Sequence, residues 1–128
     1  MEDDSGEISA QTNDLIEFAI ELWRMEHRLN RVLSMLPEDQ RELFINSFQK
    51  LKRYLYKNQI EIIDYTNQKY DDGQNLEILA VEKDPNAQDT IIKETKEPTI
   101  LLKGKVVRRG KIIVLTSEEK QTPVDANE

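Results

Sequence analysis

At Asn58 the spacing of apolar residues changes from helical to strand-like, and this switch constrains the fold more than any other feature of the chain. Upstream, Leu15, Phe18, Leu22, Met25, Leu29, Val32 and Leu36 recur at alternating steps of three and four, which makes one continuous helical seam. Downstream, "QIEIIDYT" alternates apolar and polar residues with a period of two except at the adjacent Ile62 and Ile63, the pattern of a half-buried strand. A chain that changes period in this way predicts an α+β fold, with helices first and strands after.

The first helix is predicted from Asp14 to Leu36. Asp14 can cap its start, with Glu17 three residues on as the other half of a capping box. Pro37 should end it, because a residue before proline is pushed out of the α region. Ile16, Ala19, Trp23 and Leu33 widen the apolar face beyond the seam, which suits a helix that touches several neighbours. A second helix is predicted from Glu38 to Lys57. Glu38 and Asp39 oppose the positive end of its dipole and Lys50, Lys52, Arg53 and Lys57 the negative end. Phe44, Phe48, Leu51 and Leu55 form its stripe, Leu43 and Tyr54 flank it, and Asn58 suits a left-handed terminator. A short connection makes the two helices an antiparallel hairpin. Two helices bury only part of such wide faces, so the expectation is a homodimer in which two hairpins form a four-helix bundle. Its interface would be Leu15, Phe18, Leu22, Met25, Leu29, Val32, Phe44, Phe48 and Leu51.

After Asn58 the candidate strands are Ile60–Tyr65, Leu76–Glu82, Thr90–Glu94, Thr99–Leu102, Lys105–Arg108 and Lys111–Thr116. The signals "DDG", "KDPNAQD" and "KEP", with Gly104 and Gly110, separate them. Strands this short and closely spaced predict a small antiparallel all-β domain. The expected layout is a disordered acidic stretch over 1–12, the dimerising hairpin over 13–58, the β domain over 59–116 and a disordered tail over 117–128.

Composition narrows the function. The 128 residues carry a formal charge of −7, with 34% charged and 38% hydrophobic residues. This balance implies a modest core under a large solvated surface. No cysteine is present, so the chain has no disulfide framework or thiolate metal site, and the expectation is a reducing cytoplasm. No apolar run approaches the roughly 20 residues that cross a bilayer, and the acidic start does not read as a signal peptide. The sole histidine, His27, lies off the seam and reads as a surface or edge residue. Gly73, Gly104 and Gly110 form no phosphate-cradling loop, and Asp71 and Asp72 read as turn formers. No enzymatic activity, metal or cofactor is expected.

One segment breaks the acidic background. "LLKGKVVRRGKIIV" holds Lys103, Lys105, Arg108, Arg109 and Lys111. These cations can guard a sheet edge, dock an acidic partner or bind nucleic acid. The net acidity and the lack of interleaved aromatic residues count against the last. Trp23 fits the bundle core, and Tyr54, Tyr56, Tyr65 and Tyr70 fit a junction where an apolar ring keeps a wet hydroxyl.

The order of these parts resembles the GrpE family, the nucleotide exchange factors of DnaK-type chaperones. The resemblance runs from about Leu15 to Leu115. "LYKNQIEIIDYTNQKYDD" is similar to the family's passage from second bundle helix to first strand. "VEKD" and "TIIKE" are similar to the next strand, loop and strand. "GKVVRRGKIIVL" is similar to the closing segment, with Val107, Arg108 and Gly110 at its hydrophobic–Arg–small positions. Asp72 stands where the family turn has Pro, Asn75 and Glu77 where it has His and then Ala, and "PTI" where a Gly–aromatic pair is usual. Only about a dozen polar residues precede the first helix, so the expectation is a short form without the family's long N-terminal helix. The resemblance implies a homodimeric co-chaperone whose β domain grips the chaperone's nucleotide-binding domain. The partner-binding residues it implies are Lys103, Lys105, Arg108, Arg109, Lys83, Asp84 and Asn86. Two other readings stay open: a GrpE-shaped adaptor without exchange activity, and a nucleic-acid-binding regulator using the basic closing strands.

Overall fold

The computed structural model describes residues 8–117. Residues 1–7 and 118–128, most of the two stretches expected to be disordered, lie outside the described residues. The fold is α+β: among the described residues two helices, α1 (Ala10–Asn30) and α2 (Glu38–Lys57), precede six short strands. These are β1 (Ile60–Ile63), β2 (Glu77–Lys83), β3 (Ile91–Glu97), β4 (Thr99–Leu102), β5 (Lys105–Arg108) and β6 (Lys111–Thr116).

Helix α1 starts four residues before Asp14. Ser9 is its cap, accepting a hydrogen bond at Oγ from the Thr12 backbone N–H at 3.1 Å. Serine caps as well as aspartate, so the expected Asp14–Glu17 box lies inside the helix, and residues 10–12 are helical rather than disordered. The helix also ends early. The Arg31 N–H bonds back to the Arg28 carbonyl at 3.2 Å and the Val32 N–H to the Leu29 carbonyl at 2.9 Å, and Leu33–Met35 forms a separate 3₁₀ turn. Leu36, before Pro37, is extended at φ −91° and ψ 151°, as proline sterics require. Helix α2 keeps its predicted bounds. Its left-handed residue is Gln59 (φ 66°), not Asn58. Asn58 instead caps with its side chain, donating from Nδ2 to the Tyr54 carbonyl at 2.9 Å.

The chain divides into two compact units. One runs to Ile62 and takes in Ile100–Val106, and the other holds Ile63–Thr99 and resumes at Val107. Packing therefore does not divide at 58/59, where the apolar period changes. That period reports secondary structure, whereas compactness depends on which strands later return to the helices' unit.

In the first unit α1 and α2 touch, and the Lys52 ammonium bonds the Glu26 carboxylate at 3.1 Å. Lys52 lies roughly 15 Å along α2 from the position that a level hairpin would set opposite Glu26, so the contact is offset. Buried residues of the unit include Ile16, Ala19, Ile20, Leu22, Trp23, Phe48, Leu55 and Ile60. The sheet ordered β1-β4-β5 turns from β4 to β5 at Lys103 (φ 54°) and Gly104 (φ 82°). Two consecutive positive φ values are the mark of a type I′ hairpin, whose twist matches that of its strands.

In the second unit the sheet order is β2-β6-β3. Strand β3 is antiparallel to β6, but β2 is parallel to it, so the β architecture is mixed rather than purely antiparallel. Parallel partners need a long connection, and here the whole run from Asp84 to Gly110 supplies it. Strand β6 buries Ile112, Val114 and Thr116 in alternation. Ile112 and Val114 join Leu76 and Ile92 in a core flanked by Tyr65, Tyr70 and Val81. Ser117, placed by the sequence in the disordered tail, is buried. Gly110 starts the last strand segment at a close approach. A Cβ there would sit 2.6 Å from Thr99 Oγ1 and 2.9 Å from Leu76 Cδ2. Its N–H bonds that same Thr99 hydroxyl at 3.1 Å, and its carbonyl accepts from the Glu77 N–H.

Candidate protein-interaction surfaces

Among the described residues two surfaces are suited to binding, and neither is a cleft with reactive groups. Among the described residues no set of three or more His, Cys, Asp or Glu side chains could hold a metal ion. No described helix is long and apolar enough to cross a membrane. His27 is half-buried and its ring stacks on Trp23 at 4.8 Å and 16°, a packing arrangement at the helix edge.

The first surface lies on the helices. At 100° per residue, four of the five buried residues of α1, Ile16, Ala19, Ile20 and Trp23, cluster on one side, while the fifth, Leu22, lies toward the seam. The seam lies largely on another side. Phe18 is 49% and Met25 53% exposed, Val32 is exposed, and Leu15 and Leu29 are half-buried. Of the nine residues expected at a dimer interface, Leu22 and Phe48 are already buried within one chain and Leu51 is half-buried. Phe44 is exposed together with its neighbours Leu43 and Ile45. The stripe of α2 makes Leu43 a flank and gives Ile45 and Met35 no place, yet Met35 is the most exposed of these at 80%. The signal was present in "ELFIN": three adjacent apolar residues on a helix exceed what one stripe can bury.

The second surface is the basic closing segment. Lys103 occupies the β4–β5 turn and its N–H bonds the Gln59 carbonyl at 2.8 Å. Lys105 is exposed at the start of β5, and Arg108 is half-buried at its end. Three residues apart on a strand, they project from opposite faces of the sheet. Arg109 is partly committed, since its Nη2 donates to the Leu76 carbonyl at 3.1 Å. Its charge also acts on Tyr70, whose hydroxyl pKa is raised. Burial is the largest cause, followed by a hydrogen bond to Asp72 and the negative charges of Asp72 and Asp71, with Arg109 opposing them. Asp71 does act as a turn former, capping the 3₁₀ turn Asp72–Gln74 by accepting from the Gly73 N–H at 3.0 Å.

The predicted loop residues Lys83, Asp84 and Asn86 belong to a built turn. Asp84 Oδ1 accepts from the Asn86 N–H at 3.0 Å, and the Asp84 carbonyl accepts from Ala87 at 2.9 Å. The Asp84 N–H is held by the Thr116 carbonyl at 2.8 Å. Asp84 thus shapes the loop, while Lys83 and Asn86 are exposed on it.

Comparison with known proteins adds no name to these surfaces. No protein-family model matches the chain, and no curated protein matches it.

Proposed function

We propose that the chain is a GrpE-like nucleotide exchange factor, a cytoplasmic homodimer that binds the nucleotide-binding domain of a DnaK-type chaperone. The observation that carries this reading is the order of parts around Asn58. Two consecutive helices with uncovered apolar residues are followed by six short strands, and the cations of the closing segment lie on and beside β5. Those are the parts, in the order, that the resemblance from Leu15 to Leu115 calls for.

In this reading the protein makes and breaks no covalent bond. It binds the open state of the chaperone's nucleotide cleft more tightly than the closed one, and differential affinity moves the population until ADP leaves. Turning a cleft from 99% closed to 99% open takes a preference of about 10⁴-fold, or about 5.5 kcal/mol. A contact that specific buries on the order of 1,000 Å², more than a loop can offer and within reach of a short-stranded sheet. Lys105 and Arg108 steer the encounter with an acidic rim, while the uncovered seam joins two copies.

Release of a labelled ADP from the cognate DnaK-type protein tests the reading. Stopped-flow traces should show release accelerated by the wild-type chain. Lys105→Glu with Arg108→Glu should abolish the acceleration without altering the circular dichroism spectrum. Because the two side chains project from opposite faces, the single variants should differ in severity. Binding without accelerated release would make the chain an adaptor, and no binding would remove the chaperone from the account.

A further inference from the structure

We propose that the outer edge of β5 is a strand-addition site for an extended acidic segment of a partner protein. The proposal deepens the role given above to the basic surface, and it does not depend on nucleotide exchange. Strand β5 is terminal in the order β1-β4-β5, so one side of its backbone has no strand neighbour among the described residues. Such an edge offers a row of N–H and C=O groups to any extended chain that can approach. Gly104, Lys105 and Val106 are all exposed, Val106 to 42%, so the approach is open where the strand begins.

Two further features choose the occupant. Cations on an edge repel basic strands and admit acidic ones. Lys103 and Lys105 therefore act as a filter of sign, with Val106 beside them to meet an apolar residue of the incoming strand. The type I′ turn at Lys103 and Gly104 holds the hairpin rigid, so little order is lost on pairing. Lys103 occupies a left-handed position (φ 54°) that asparagine or glycine adopts more readily. A lysine there puts a cation at the tip of the hairpin. The occupant is thus an extended stretch in which carboxylates alternate with β-branched residues.

The test uses the full-length, isotope-labelled protein and three capped synthetic peptides. One alternates glutamate and valine, the second has the same charge but is interrupted by prolines, and the third alternates lysine and valine. The glutamate–valine peptide should shift the backbone amide signals of Lys105 and Val106 and slow their hydrogen exchange. It should bind at least about ten-fold more tightly than either control, a difference of 1.4 kcal/mol, and Lys105→Glu should remove that advantage. Equal binding of the proline-interrupted peptide overturns the proposal, because main-chain pairing would then play no part. So does an absence of shifts at low salt, a perturbation centred away from β5, or tighter binding of a short single-stranded DNA. Peptide pairing without accelerated ADP release would defeat the exchange reading alone, and accelerated release without pairing would defeat this one alone.

Discussion

Along β6, Ile112 and Val114 are buried and share a closed core with Leu76 and Ile92, whereas along α1 the seam residues Phe18 and Met25 stand exposed, as does Val32 just beyond it. Both elements carry regular apolar patterns. The difference is in what covers them. The β2-β6-β3 sheet has its cover within the chain: strand neighbours on both sides of β6 and the rings of Tyr65 and Tyr70. The helices have a cover for the Ile16–Trp23 side, and among the described residues none covers Phe18, Met25, Leu43, Phe44 and Ile45. Apolar area left in water on a regular helical face is what a second copy of the same chain can bury. Periodicity announces a face to be covered but does not say by which molecule.

Substitutions can break the comparison on either side. The largest effect is expected in the sheet. Ile112→Ala removes a fully buried branched side chain from the central strand and should cost about 2–5 kcal/mol in urea unfolding. On the helices, Phe18→Glu puts a carboxylate on the open seam. It should weaken self-association about 100-fold, or about 2.7 kcal/mol, while stability measured on the separated chain changes by less than about 0.5 kcal/mol. If Phe18→Glu destabilises the monomer as strongly as Ile112→Ala, the seam is intramolecular core and the contrast fails.

Gly110→Ala should cost about 1–3 kcal/mol. Its new methyl would meet Thr99 Oγ1 at 2.6 Å and Leu76 Cδ2 at 2.9 Å, so both side chains would have to shift. A smaller effect belongs to the helix pair: Lys52→Met deletes the offset ion pair with Glu26. With side chains 38% and 25% exposed, water screens much of the attraction, and the thermal shift should correspond to about 0.5 kcal/mol.

The smallest effect is a pH dependence confined to the second unit. The hydroxyl pKa of Tyr70 is raised in the folded protein, chiefly by burial and then by its bond to Asp72. The neutral phenol is therefore what the fold favours. Its contribution is complete below the unfolded value of about 10 and is lost as pH rises through the folded one. Tyr70→Phe should flatten the alkaline limb of the stability curve, and it should leave the slope of the curve near neutral pH unchanged while lowering its level by the lost Asp72 bond. An alkaline limb identical in the two proteins would contradict the assignment.

Much of the fold was legible because local physics fixed it. Glu38 and Asp39 at one end and Lys57 at the other set α2, and the alternation in "KIIVLT" set β6. Three features were not legible, each for a different reason. Ser9 and Asp14 are equally good caps, so the start of α1 was ambiguous by chemistry. Strand direction leaves no trace in a period of two, so the parallel pairing of β2 with β6 was invisible. The boundary between compact units depends on the return of Ile100–Val106, a long-range event that no local pattern encodes. Of the candidate surfaces, charge was visible and commitment was not. Arg109 looks like Lys105 in the sequence, but part of its guanidinium is bonded to the Leu76 carbonyl.

Sedimentation equilibrium of the full chain decides whether a second copy covers the open seam of α1 and α2. The wild-type protein at micromolar concentration should have twice the single-chain mass of 15.0 kDa, and Phe18→Glu should return it to one chain. A mass of 15.0 kDa for the wild type across that concentration range would contradict the account, since the exposed apolar face would then have no partner in its own kind.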